Sequence, residues 1–385
     1  MATKSQRRSH HILDEITSGL PETVHTAFNL DYVDVLGTAE HHGSVLPAVT
    51  QYISPPEGSD RDRSLTLCSQ EAVKDRQRAV QAVRPAFRLA SAILTHPGQL
   101  PFWHGIWRAG RAVPTGKNCT KPDFTAQRSL KPHEKADTLE FLESLGQGIF
   151  ITFCDISGLL GRCQYPPRTK NAHAGELRTW TARPRLVHDS RPQYARVILS
   201  STYYMQRLLK WRQMTVPQVR ALWLRLAKTL LHELAHAAMR FSFRHTRHMR
   251  CGPNELFFRS EAAAEVGKAY ENYAFGGGIA DTLCKDGTLT LRVWPSDRVQ
   301  ECYNGTLRTR GALAAEENLW NVPAEYLECL FDERFWLKGK LSGRKLRLRM
   351  LRCCKFEDLK DRGPARPRNE PEDEERPRKR LRCLH

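Results

Sequence analysis

The sequence predicts an α+β fold in which a buried helix carrying an HExxH motif packs on a small mixed sheet and against a second, glutamate-bearing helix. Three observations lead there. The stretch 215–243 is apolar over most of its circumference at helical spacing, so it belongs inside the molecule. Two short β-branched runs, 148–154 (GIFITFC) and 195–200 (ARVILS), precede it. A further helical pattern follows at 260–274 and is stopped by Gly276, Gly277 and Gly278.

In chain order, residues 1–65 mix polar runs with Pro55, Pro56 and Gly58 and read as a partly ordered N-terminal region. Residues 66–145 read as a helical part. Val73, Val80, Val83, Phe87, Leu89 and Ile93 place a helix over 69–94, interrupted or kinked at Pro85; 101–132 reads as loop, and 134–145 as a short helix. Residues 146–356 form the domain that holds the motif. Its long helix opens at Thr215 with Pro217 in the first turn and Gln218 at the capping-box spacing. After the second helix, 289–294 alternates as a strand, and Asn321 followed by Pro323 begins a helix carrying Tyr326, Leu327, Leu330 and Phe331. Residues 357–385 are charge blocks and prolines with too little apolar surface to offset ordering entropy, and read as a disordered charged tail.

Composition excludes several classes. With 40% apolar residues in 385, the chain can fill a large core, so it is neither fibrous nor wholly disordered. Eleven cysteines without a regular framework suit a reducing compartment rather than a disulfide scaffold. No stretch approaches the ~20 apolar residues of a membrane span, and the charged start has no apolar core behind it. The expectation is a soluble, intracellular protein, nuclear or cytoplasmic, with no membrane partner. The net charge of +18 favours polyanionic or acidic partners.

The chemistry concentrates in His232, Glu233, Leu234, Ala235 and His236. Chance predicts roughly 0.04 such motifs in a chain of this length, so composition does not account for it. At ~100° per residue the two imidazoles fall on one helix face a turn apart, where both reach one Zn²⁺. Glu233 stands beside the metal and can take a proton from a zinc-bound water and deliver it to a leaving amine. The bland alternative, a solvated polar stripe, conflicts with Leu230, Leu231, Leu234, Ala235, Ala237 and Ala238 around it.

A catalytic zinc needs a third protein ligand. The metzincin spacing would require Gly and His where Met239 and Ser242 stand. His245 and His248 belong to a basic loop, RHTRHMR, and remain open as ligands. The following helix offers Glu261, Glu265 and Glu271. Glu265, mid-helix among Ala262, Ala263, Ala264 and Gly267, is the first choice, because those small residues allow close approach to Ala235, Ala237 and Ala238. Glu261, in the first turn, is the rival; Glu271 either pairs with Lys268 or holds a ligand histidine. A substrate backbone would lie along an edge strand, 195–200 being the candidate, and Tyr270, Tyr273 or His245 would supply an oxyanion donor.

HELAH on a helix, with a strand before it and a glutamate helix after it, resembles the zincin metallopeptidases of gluzincin type. The runs EVGKAYENYAFGG, RVWP and VPAEYLECLF are similar to a group of uncharacterised fungal HExxH proteins, some likened to SprT-like proteases. The resemblance covers about 145–336. It implies a zincin-like fold, His232, His236 and Glu265 as zinc ligands, Glu233 as base, and a polypeptide substrate.

Two other classes compete. The segment 340–355 carries seven basic residues and no acid, and the tail adds RPRKRLR, similar to a nuclear import signal. A basic nucleic-acid-associated protein would use those segments on phosphates, although no reader motif accompanies them. A catalytically inert zincin-like scaffold is the remaining possibility.

Overall fold

The computed structural model describes residues 61–112, 123–165 (except 128, 155, 157 and 158), 195–243, 255–279 (except 260, 262 and 263), 289–292 and 319–337, with a few positions between 17 and 34. The basic segment 340–355, the tail 357–385, His245 and His248 lie outside the described residues. So does most of the 1–65 region.

Helices and small sheets combine in an α+β architecture, as the sequence leads one to expect. Helices α1 (Arg61–Thr95), α2 (Leu100–Ala112) and α3 (Pro132–Gly146) precede the motif helix α4 (Val216–Ser242). Then come α5 (Val266–Phe275) and the short α6 (Ala324–Leu330) and α7 (Glu333–Leu337). The main sheet has the order β1 (Val33–Asp34), β3 (Ile149–Cys154), β5 (Ala195–Ser200), β4 (Gly161–Gln164). β1, β3 and β5 are parallel and β4 is antiparallel, so the sheet is mixed. A parallel pair joins β2 (Asp123–Phe124) to β6 (Phe257–Phe258), and β7 (Gly278–Ile279), β8 (Thr290–Arg292) and β9 (Leu319–Asn321) form an antiparallel sheet.

One hydrophobic cluster takes in α1 to α5 and one face of the main sheet, so residues 66–145 and the motif-bearing part share a core. At its centre Trp223 of α4 is fully buried and donates its indole N–H to the Ala82 carbonyl of α1 at 2.9 Å. That bond satisfies a polar atom that burial would otherwise leave costly. No described helix is long and apolar enough to cross a membrane.

Four expectations are corrected. First, of the interruption or kink expected at Pro85, the interruption does not occur: α1 runs on through Pro85, the residues around it, Ala82, Val83, Ala86 and Phe87, are all buried, and packing outweighs the lost hydrogen bond. Second, much of the expected loop 101–132 is helix α2, which buries Phe102, Trp103 and Ile106 completely. Gly105 and Gly110 look like loop signals, but they are sites of close approach. A Cβ on Gly105 would meet the Thr125 carbonyl oxygen at 2.6 Å, and one on Gly110 would collide with Ser242. Third, β5 is an interior strand flanked by β3 and β4, so it offers no free edge; β4 has the outer position. Fourth, the second helix starts at Val266 rather than near 260. Glu265 is its N-cap, in extended conformation (φ −147°, ψ 98°), and Glu261 precedes the helix instead of lying in its first turn.

Candidate metal centre

Thr215 fixes the start of α4. Its hydroxyl accepts the Gln218 N–H at 3.5 Å, and Gln218 Oε1 accepts the Thr215 N–H at 2.8 Å. Five turns later the helix presents His232 and His236 to α5. The two Nε2 atoms are 3.2 Å apart, and Glu265 Oε1 lies 3.3 Å from the first and 2.9 Å from the second. A tetrahedral zinc with donors at ~2.0–2.1 Å has those donors about 3.3 Å from one another, so the triangle has the right size. These three residues could hold a metal ion, and among the described residues no other histidine, cysteine or carboxylate group forms such a cluster.

Each donor is fastened from behind. His232 Nδ1 meets Glu271 Oε1 at 2.7 Å, and His236 Nδ1 meets Glu255 Oε1 at 2.7 Å. A carboxylate on the far nitrogen fixes the ring orientation and leaves Nε2 for the metal. Glu265 divides its oxygens between two tasks: Oε2 accepts the Lys268 N–H and caps α5, while Oε1 faces the imidazoles. Glu255 Oε2 accepts the Val266 N–H at 2.8 Å, so the carboxylate behind His236 and the candidate ligand Glu265 both anchor on the first turn of α5. Glu271 is wholly buried and is held by Lys268 Nζ at 3.1 Å and Lys228 Nζ at 3.6 Å. Both alternatives weighed for it, lysine partner and histidine support, are therefore realised.

Glu233 is 6% exposed, and burial raises its carboxyl above the ordinary value. β4 comes close to it: a Cβ on Gly161 would meet Glu233 Oε1 at 2.8 Å. Together Glu233, Glu255, Glu265 and Glu271 face two lysine ammoniums, Lys228 and Lys268. With neutral imidazoles this leaves two negative charges, which a divalent cation matches.

Without a cation the same charges act on protons. Burial alone would depress both imidazoles, but Glu265 and Glu271 outweigh it at His232 and hold it at about 9; Glu255 and Glu265 raise His236 well above its usual value. Burial pushes Glu265 and Glu271 up, yet the histidines and, for Glu271, Lys228 and Lys268 bring both below the carboxylate range. A raised imidazole stabilises the fold fully below its unfolded value of 6.5 and loses that contribution as pH climbs through about 9. A depressed carboxylate stabilises above its unfolded value of 4.5 and fails as pH falls. The metal-free protein should therefore have its highest Tm between these two values. Calorimetry in chelator that found Tm rising from 6.5 toward 9 would contradict this. Added Zn²⁺ should remove the alkaline decline.

Of the other residues singled out, Glu261 accepts from Asn272 Nδ2 at 3.1 Å and is not part of the cluster. Tyr270 is fully buried against Phe102 and Trp103, and Tyr273 donates to the Gly98 carbonyl at 3.0 Å. Gly267 gives the close helix approach expected of it, against the His232 ring, whereas Glu255, Lys228 and Gly161 carry roles that sequence reasoning missed. Only Lys228 gave a signal: a lysine one turn before His232 inside a leucine-rich helix needs a buried acid. No protein-family model matches the chain, and no curated protein or solved structure matches it.

Proposed function

We propose that the chain is a zinc-dependent metallopeptidase of zincin-like, gluzincin-type arrangement that hydrolyses peptide bonds. The observation that carries this is the convergence of His232, His236 and Glu265 at ligand spacing, with Glu233 alongside and outside the ligand set. Three protein ligands leave a tetrahedral ion one position for chemistry, whereas structural zinc is held by four. Bound there, Zn²⁺ would supply Lewis acidity to the scissile carbonyl and to water. The rest belongs to the chain. Glu233, with a carboxyl raised by burial, is poised to take the proton of the attacking water. As the C–O bond forms and the C–N bond breaks, the same carboxyl delivers that proton to the departing amine. The products are one carboxylate and one amine.

β4 supports the same reading. It is the outer strand on the side of the sheet next to α4, and among the described residues its second edge is unpaired. An extended polypeptide can complete that edge through main-chain hydrogen bonds, which places its backbone beside Glu233 irrespective of side chains.

The test is reconstitution. Purified chain stripped by chelator, then reloaded with one equivalent of Zn²⁺, should cut an unfolded polypeptide such as reduced, alkylated casein. Chelator should stop cleavage, and Zn²⁺ should restore it. Stoichiometric zinc with no cleavage of any unfolded polypeptide would leave the inert scaffold as the better description.

A further inference from the structure

We propose that the site selects acidic polypeptides, and that Arg162 on β4 determines this by pairing with a substrate carboxylate next to the cleaved bond. The inference rests on the peptidase reading. It starts from the two faces of β4. In the antiparallel register Gly161 is opposite Leu199, Arg162 opposite Ile198 and Cys163 opposite Val197. Directly opposed residues share a face. Val197 and Leu199 belong to the hydrophobic core, so Gly161 and Cys163 face α4 with them. Gly161 confirms it, since a Cβ there would touch Thr229 and Glu233. The Cys163 thiol, raised to about 12 by burial and then by the Glu233 charge, lies on the same side.

Arg162 is on the opposite face, with Ile198. It is exposed and makes no ion pair among the described residues. A strand added to the edge of β4 that is unpaired among the described residues alternates its side chains in the same way. Side chains on the α4 face meet the uncharged positions 161 and 163; a side chain on the other face meets the Arg162 guanidinium. A Cβ on Gly161 would meet Glu233 Oε1 at 2.8 Å, so the residue opposite the neighbouring Arg162 is adjacent to the bond being cut.

Charge then decides the class of substrate. A cross-strand carboxylate opposite Arg162 is favoured and an ammonium there is disfavoured. The acids of the centre do not cancel this, because Glu233, Glu255, Glu265 and Glu271 would be balanced by Lys228, Lys268 and the divalent cation on the sheet's α4 face. The net charge of +18 acts in the same direction at long range, raising the encounter rate of polyanionic chains at low salt.

The experiment uses the full chain loaded with Zn²⁺ and a position-scanning set of synthetic peptides carrying Glu, Gln or Lys at each position, with products identified by mass spectrometry. At one position flanking the cut, kcat/KM should be about tenfold higher for Glu than for Lys. Arg162→Glu should invert that preference, and Arg162→Gln should abolish it, each with zinc content unchanged. A second arm measures binding without turnover. Zinc-loaded Glu233→Gln should bind a fluorescent Glu-bearing peptide about tenfold more tightly than its Lys counterpart, and addition of Arg162→Glu should reverse the order. A preference for Lys in the wild type, or one that survives Arg162→Glu, overturns the proposal. Absence of cleavage together with charge-selective binding would instead remove the peptidase reading and keep Arg162 as the selector. Absence of both removes the two together.

Discussion

Replacing Glu233 by glutamine should reduce peptide cleavage by at least about a thousandfold while zinc content and Tm stay near those of the parent. The magnitude follows from the role. General acid–base catalysis contributes ~10²–10⁴-fold, and here a single carboxyl performs both proton transfers, so its loss falls at the upper part of that range. The chain should tolerate the change. Glu233 lies outside the triangle formed by His232, His236 and Glu265, and glutamine preserves its volume against Gly161 and Thr229. Burial already penalises the charged form of Glu233, so neutralising it does not cost the fold its desolvation energy. The measurement pairs steady-state cleavage with elemental analysis of the same preparation. Retained activity in a zinc-replete Glu233→Gln protein would assign the proton transfers elsewhere.

The second large effect is expected from a single methyl group. Gly267→Ala should lower zinc affinity by at least about a hundredfold. A Cβ at 267 would lie 2.6–2.7 Å from Cδ2, Nε2 and Cε1 of His232, the edge of the ring that carries the ligand nitrogen. Relief by rotation is blocked, because Nδ1 is held by Glu271, itself buried and clamped by two lysines. Either His232 leaves its position or α5 moves away from α4, and α5 carries Glu265. Both routes separate the ligands, and displacing even an outer-shell partner typically costs ~10–100-fold in metal affinity. Gly278→Ala is the control: a Cβ there comes no closer than 3.3 Å to Glu271 Oε2, so its effect on zinc should be small. Competition titration against a chromogenic chelator reads both. Equal affinities for the parent and Gly267→Ala would show that α5 does not fit His232 this tightly.

Much of this centre was legible in the sequence because the motif residues report on each other locally. Four positions along one helix fix the angle between His232 and His236, and Thr215 with Gln218 fixes where that helix begins. Glu265 was found through small residues that suggested close helix packing, yet it acts from the N-cap rather than from mid-helix. A carboxylate before a helix and one inside it look alike when Ala262 to Ala264 extend the helical pattern backward. Glu255 left no trace, since it sits in irregular chain where no periodicity marks it, and its task is visible only once His236 is in place. The edge strand was misassigned for a related reason. GRCQ is polar and short, and the order of pairing in a sheet is a non-local property that no window of β4 contains. The stretch 101–132 read as loop, whereas in α2 Gly105 and Gly110 serve neighbours distant in sequence, which no local window shows.

Because Glu255 and Glu265 both reach His236, the segment from 255 to 265 is fastened to α4 at its two ends, and a cation held by His236 and Glu265 would act as a clasp on the connection. Closing a loop this way removes chain entropy only logarithmically with its length. Residues inserted between Ser242 and Glu255 should therefore cost the site little stability, whereas residues inserted between Glu255 and Glu265 would disturb β6 and its pairing with β2.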